Sequence, residues 1–332
     1  MIALAASGWY VPATSVPVAE LPELPELTEA ERATCAALGI ERVPVDDALT
    51  ATDLAVRAAH RALAAACLDP ASIDAVITVE PRAPDTLVSS DSTRLQAQLG
   101  ADRAMAFSVG GLGCASVTPA LLVARGLLHT DSGVEHVLVA HGSKPASPRR
   151  YRHPVTVNGD SGGALVLARR GPVQIVDILL ETSGSYADLF RVVYRDRPFE
   201  RWREECADLP AYSFRLAVET RNRLRSLTGT LLDRNGLGRG DIACYVSQNL
   251  SVGAFRAYED ALDVTIADAC FDNLARYGHL GPNDVFLNLT TMIERGSLND
   301  GDRVVLLNVS PAAGWSALLV RIGAEEHTAR LL

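Results

Sequence analysis

Lysine is almost absent. Lys144 is the single lysine in 332 residues, and every other basic side chain apart from histidine is an arginine. A lysine Schiff base or a P-loop would have to use Lys144, and its flanks Gly142-Ser143-Lys144-Pro145 resemble neither. Paired cysteines are missing too. Cys35, Cys67, Cys114, Cys206, Cys244 and Cys270 are scattered, with no CxxC and no histidine at metal-ligand spacing. That argues against zinc and against a disulfide framework. No apolar run approaches the roughly 18 residues a bilayer crossing needs, so no membrane segment is expected. The stretch Met1 to Tyr10 carries no positive charge and reads as a first strand rather than a signal peptide, which suggests a cytoplasmic protein with reduced thiols. A net charge of −9 excludes a general nucleic-acid binder. No cofactor or metal is implied.

What is present suits a globular α/β chain. Hydrophobic residues make up 48% and charged residues 21%, enough for a large core. Strand-like and helix-like runs alternate. Val56, Ala59, Leu63 and Cys67 keep helical spacing and predict a helix over 52–68. Buried strands are predicted over 73–79, 136–140, 163–168, 241–246, 303–309 and 317–321. The approach to the strand at 73 resembles the approach to the one at 241, and the strand pair at 136–168 echoes that at 303–321. Two copies of one α/β unit, 1–170 and 171–332, joined in one compact body, would explain both echoes. Chance similarity among Ala- and Val-rich strands is the other reading. The stretch from Glu181 to Tyr212, rich in Arg and Tyr and poor in periodicity, looks like an excursion that caps a site.

Gly159-Asp160-Ser161-Gly162-Gly163 matches the nucleophile signature of chymotrypsin-like proteases, and Ala58-Ala59-His60 mimics their histidine motif. The context disagrees. Asp53, Arg57, His60 and Arg61 form the polar stripe of an amphipathic helix, which turns His60 to solvent. The glycines read better as a tight turn into the strand at 163.

Gly110-Gly111-Leu112-Gly113-Cys114-Ala115-Ser116 is more suggestive. A thiol at a helix N-terminus sees the positive end of the macrodipole, which favours thiolate, and its own N–H can face a developing oxyanion. A small buried residue in a tight turn is the alternative. Pro119 leaves open a later helix start, with Thr118 as its cap.

Ordered motifs along nearly the whole chain resemble the thiolase superfamily, and within it β-ketoacyl-acyl-carrier-protein synthase III. They are Gly8-Trp9-Tyr10-Val11-Pro12, Gly39-Ile40-Glu41-Arg42, Leu95 to Ala101, Ala106 to Val109 before Cys114, Asn158 to Ala164, Gly301-Asp302-Arg303 and Ala313 to Ala317. The resemblance implies a thiolase-like duplicated five-layer αβαβα fold, a homodimer, and a substrate held on an acyl carrier protein or coenzyme A. The donor is then an acyl-phosphopantetheine or acyl-CoA thioester. By resemblance, a second oxyanion donor comes from the backbone near Ser310, Ala312 and Ala313.

The departures carry the functional signal. The family's condensing members use Cys, His and Asn, and Cys114 fits the first. The family's His-Gln-Ala-Asn stretch falls on Ser247-Gln248-Asn249-Leu250, and its Gly-Asn-Thr-Ser motif on Gly278-His279-Leu280-Gly281. Ser247 therefore replaces the histidine and His279 the asparagine. Decarboxylative condensation needs two neutral donors around an enolate, whereas an imidazole facing a thiolate suits general-base work on an alcohol or amine. Asp284 either orients that imidazole, giving Cys-His-Asp by role, or is a first-turn carboxylate favoured by a helix dipole. Ser247 is either a spacer or a contact to the acceptor. The pattern resembles the family's acyltransferase branch in antibiotic and polyketide biosynthesis, which moves acyl groups onto hydroxyls. A condensing or starter-unit priming enzyme, and a non-catalytic binding subunit, are the rivals. Arg149, Arg150, Arg221 and Arg225 are candidate contacts for an acidic carrier protein. Carrier protein is favoured over coenzyme A because the family's adenine-stacking aromatic has no match.

Overall fold

The computed structural model describes residues 1–323. Its main sheet has nine strands: β1 (Ile2–Tyr10), β2 (Ala75–Val79), β3 (Met105–Val109), β4 (Val137–Ser143), β5 (Ser161–Ala168), β6 (Val173–Thr182), β7 (Cys244–Ser247), β8 (Arg303–Ser310) and β9 (Gly314–Ile322). Their order is β7-β8-β9-β6-β1-β5-β4-β2-β3. One pattern occurs twice. From one edge, β3-β2-β4 are parallel and β4-β5-β1 antiparallel. From the other, Ile266 bridges Tyr245 of β7 in parallel, β7-β8 are parallel, and β8-β9-β6 antiparallel. The two runs meet where β1 and β6 pair antiparallel, from Ile2 opposite Ile175 to Leu4 opposite Val173.

The strand β6 that makes this junction is not among those predicted. A bulge between Ile175 and Asp177 breaks its alternation, and it buries a charged residue. Asp177 is satisfied there by the Ile178 amide at 2.9 Å and by Asn235 at 3.1 Å. At the start of β7, residues 239–241 form a 3-10 turn, so that strand begins later than predicted.

The helices are α1 (Glu29–Ala36), α2 (Ala51–Ala66), α3 (Asp91–Leu99), α4 (Val117–Thr130), α5 (Ala217–Arg234), α6 (Val252–Leu262), α7 (Asp268–Tyr277) and α8 (Asp284–Glu294). Thr50 and Asp53 close a capping box on α2, and Cys67 ends it in the left-handed region. This helix lies on β1, β5 and β4 at backbone distance. A Cβ on Gly142 would stand 1.7 Å from Ala51 O, and one on Gly162 would stand 1.8 Å from Leu54 O. Gly162 and Gly163 thus serve close packing inside β5 rather than the predicted turn. Ser161 is buried in that strand and His60 is exposed, so the protease-like motif is packing.

Helix α5 covers β6 and β9, while α4 contacts β2, β4 and β6 and α8 contacts β7 and β8. Helix α8 is buried on every side from Asp284 to Thr290, as an interior helix must be. The result is the duplicated αβαβα layering, with α4 and α8 inside. No helix among the described residues is long and apolar enough to cross a membrane.

Candidate active site

Beyond β3 the chain turns through Gly111 and Gly113, both at positive φ, into a 3-10 turn over Gly113–Ser116 that runs straight into α4. Glycine supplies those backbone angles without strain. Leu112 N donates to Ser116 Oγ at 3.0 Å, which fixes the turn. The late helix start with Thr118 as cap is not found. The helix begins at Val117, and Pro119 sits in its first turn, where an amide has no intrahelical partner anyway. Thr118 instead spends its hydroxyl on Ser316 Oγ, 2.8 Å away. Cys114 is therefore buried at the head of a turn leading into an interior helix. Its amide makes no hydrogen bond among the described residues, which leaves that N–H free for an oxyanion.

The loop between α7 and α8 brings in His279. Gly278 holds φ +62, and a Cβ there would stand 2.6 Å from Val157 O. His279 N donates to Val157 O at 2.9 Å and Gly159 N to His279 O at 3.1 Å, so the loop is sewn to the segment before β5. His279 Nδ1 lies 2.6 Å from Asp284 Oδ2, with both residues buried. Asp284 also accepts from Leu280 N at 2.8 Å and Asn249 N at 2.9 Å. Asp284 is thus the first residue of α8 and also the hydrogen-bond partner of the imidazole. With Nδ1 occupied, Nε2 is the ring nitrogen left to exchange a proton, and the turn that carries Cys114 packs against the turn at Gly281–Asn283 that follows the ring.

The electrostatics follow from this contact. Burial is the largest influence on Cys114 and opposes the thiolate, but the hydrogen bond and charge of His279, with Arg152, outweigh it and hold the thiol below its ordinary value. Burial likewise opposes the imidazolium, yet the Asp284 carboxylate and Cys114 hold His279 above its ordinary value. The two titrate as a pair. In its neutral form Cys114 donates instead to Val309 O at 3.1 Å. Because a depressed thiol keeps its thiolate to lower pH, alkylation of Cys114 by iodoacetamide should rise with a midpoint below the ordinary thiol value of about 8.5. In a His279→Gln variant burial remains without its main opponent, so the midpoint should move above that value. A rate-against-pH series checks both shifts.

Ser247 ends β7 fully buried. Its hydroxyl has one partner among the described residues, Gln248 O at 3.5 Å, so it does not join Cys114, His279 and Asp284. Gln248 matters more than the sequence suggested. It accepts from Val309 N at 3.0 Å and donates to Val309 O, the carbonyl that also receives Cys114. Asn308 Nδ2 donates to Cys114 O at 2.9 Å. Side-chain amides that clamp backbone leave no periodic signal in a sequence.

The turn at Ser310–Gly314 lies against the Cys114 turn, and a Cβ on Gly113 would stand 3.0 Å from Ser310 Oγ. Its amides are already committed. Ala312 N donates to Ser310 Oγ at 3.1 Å and Ala313 N to Ser310 O at 2.9 Å. Three of the four arginines proposed for a carrier make contacts within the chain. Arg149 pairs with Glu26, and Arg150 makes a two-bond contact to buried Asp160 at 2.8 and 3.1 Å. Arg225 Nε donates to Ala261 O at 2.6 Å. Arg221 is exposed on the rim of a cavity of about 200 Å³, lined by Leu216, Leu250, Tyr258, Val309 and Pro311. Val309 ties that cavity to the nucleophile. The excursion after β6 packs here too: Glu204 pairs with Arg152, which also lies over the Phe190 ring.

Comparison with known proteins bears on this arrangement. Residues 232–322 match the family model of the 3-oxoacyl-[acyl-carrier-protein] synthase III C-terminal region. A β-ketoacyl-[acyl-carrier-protein] synthase III of Cereibacter sphaeroides is 30% identical over 328 residues, covering 95% of this chain and 97% of the relative. The Helicobacter pylori enzyme of the same name is 26% identical over 85% of this chain and 87% of its own length. Among solved structures, the acyltransferase ChlB3 superposes with a TM-score of 0.83 at 19% identity, covering 99% of both chains. The Aquifex aeolicus synthase III gives 0.80 at 19% identity over 97% of this chain and 100% of that one. These structural likenesses establish the thiolase-type fold.

Proposed function

The chain belongs to the β-ketoacyl-[acyl-carrier-protein] synthase III family, and from that premise we propose that it is an acyltransferase of secondary metabolism, carrying an acyl group from a carrier-protein or coenzyme A thioester through Cys114 to a hydroxyl or amine. One observation carries this reading: the buried contact of 2.6 Å between His279 and Asp284, on a loop whose Gly281–Asn283 turn packs against the Cys114 turn. In the first half-reaction the Cys114 thiolate attacks the thioester carbonyl, the Cys114 N–H faces the oxyanion, and the leaving thiolate takes the His279 proton. In the second, His279 Nε2 takes the acceptor's proton, the acceptor oxygen attacks the acyl carbonyl, and Cys114 leaves as thiolate. Asp284 fixes the ring's tautomer and balances its charge. Condensation would instead need neutral donors at two positions, and this site offers a base at one and a serine turned away at the other. The structural likeness to an acyltransferase agrees with transfer.

The carrier protein is the favoured donor. Exposed Phe214 and Val218 follow one helical face towards Arg221 at the cavity rim, an apolar strip edged with positive charge that suits an acidic carrier helix. A homodimer would cover β3, which is half-exposed at the sheet edge, together with exposed Leu87 and Met105.

The test is intact-protein mass spectrometry after mixing with a panel of acyl thioesters. An adduct that is absent from Cys114→Ala is the expected result. A protein that takes no acyl group from any donor would have to be reclassified as a binding subunit.

A further inference from the structure

Two side chains that the transfer chemistry does not use stand beside it, Arg82 half-buried and His141 buried. Arg82 follows β2 and His141 lies near the end of β4, so both sit at the edge where the parallel strands β2, β3 and β4 end and from which Cys114 also emerges. Loops gather into sites at that edge of a parallel sheet. Arg82 Nη1 donates to Ser143 Oγ at 2.9 Å and Lys144 O at 3.1 Å, both uncharged. Its Nη2 is sealed from solvent and has no partner among the described residues. Of the carboxylates nearby, Asp160 is held by Arg150, and Glu204, ion-paired with Arg152, acts on Arg82 through its charge and makes no hydrogen bond to it.

His141 is 3% exposed. Its Nδ1 lies 3.0 Å from Val79 O and must donate to it, which leaves the Nε2 lone pair buried and unpartnered. Burial above all, opposed by the Val79 bond but reinforced by Arg82 and His279, pushes His141 down to about 3, so the ring is neutral. A Cβ on Gly281 would stand 3.3 Å from Arg82 Nη2 and 3.4 Å from His141 Nε2. A free cationic donor and a free acceptor thus converge over the loop that carries His279. Their surroundings include the reacting groups, since the Gly281–Asn283 turn beside them packs on the Gly113–Ser116 turn that carries Cys114. Buried polar atoms left open in this way call for a partner.

We propose that Arg82 and His141 recognise the transferred acyl group by a polar end that accepts from Arg82 and donates to His141, a hydroxyl or a primary carboxamide. The inference rests on acyl transfer through Cys114. A carboxylate end satisfies Arg82 but sets an oxygen against the His141 lone pair, and an alkyl end satisfies neither.

The test uses the full chain with Arg82→Met and His141→Phe variants. Pantetheine thioesters whose acyl groups end in carboxamide, hydroxyl, carboxylate or isopropyl are compared at matched lengths, and Cys114 acylation is timed by intact mass. Each rate is divided by the same protein's iodoacetamide rate, so that a folding defect cancels. The carboxamide or hydroxyl end should react at least about tenfold faster than the isopropyl end, as a charge-assisted hydrogen bond supplies, and both variants should lose the preference. Which of the two polar ends reacts faster identifies the natural acyl class. Equal rates for all ends in the parent protein, a preference for carboxylate, or a preference that survives both substitutions would overturn the proposal. Acylation without discrimination sinks this inference alone, whereas no acylation by any donor sinks acyl transfer and this with it.

Discussion

A His279→Ala protein should still accept an acyl group on Cys114 but hold it, with transfer to an alcohol slowed by about a thousandfold, the usual worth of a positioned general base. Acylation itself should slow less and recover at higher pH, because the thiol loses the partner that outweighs its burial while remaining a nucleophile once ionised. Preformed acyl-enzyme mixed with acceptor and sampled by mass over time separates the two steps. Equal rates in the parent and the variant would show that His279 takes no proton from the acceptor.

Asp284→Asn should reduce transfer by about a hundredfold to ten-thousandfold, since an amide no longer fixes the His279 tautomer or balances its charge, and its one remaining oxygen keeps an acceptor for only one side of the Leu280 and Asn249 amide pair. The loss should appear in kcat rather than in KM for the acceptor, because the carboxylate sits behind the ring and touches neither substrate. Asp284→Ala is a different experiment. It also strips acceptors from the buried amides of Leu280 and Asn249, and should cost about 2–4 kcal/mol in urea unfolding. A ring held by Asp284 and a helix start held by Asp284 therefore give separable signals. If Asp284→Asn leaves kcat untouched while Asp284→Ala unfolds the protein, the carboxylate is structural only.

Much of this site could be read from residues alone, for identifiable reasons. Cys114 announces itself by the glycines before it and the apolar spacing after it. His279 and Asp284 stand five positions apart, in the loop before α8 and at its first residue, so alignment carries both together. Helix α2 shows its period because one face meets water and the other meets the sheet. Strand β6 hides because a bulge buries Asp177 where alternation calls for an apolar residue. The partners of the arginines were hidden for a related reason. Arg149 and Arg150 look like a basic patch in sequence, yet Glu26 and Asp160, distant or outside the cluster, absorb them. Gln248, Asn308, Arg82 and His141 act through contacts made only when strand ends converge, and no local spacing encodes that.

Acyl transfer and condensation leave different bonds behind, so product partition is the decisive measurement. Acyl-enzyme formed on Cys114 is offered a malonyl thioester and a simple alcohol together, and the products are identified by mass. Ester that depends on His279, with no β-keto thioester and no carbon dioxide release, is the predicted result. A β-keto thioester as the main product would contradict it and make the Cys114, His279 and Asp284 arrangement a variant condensing site.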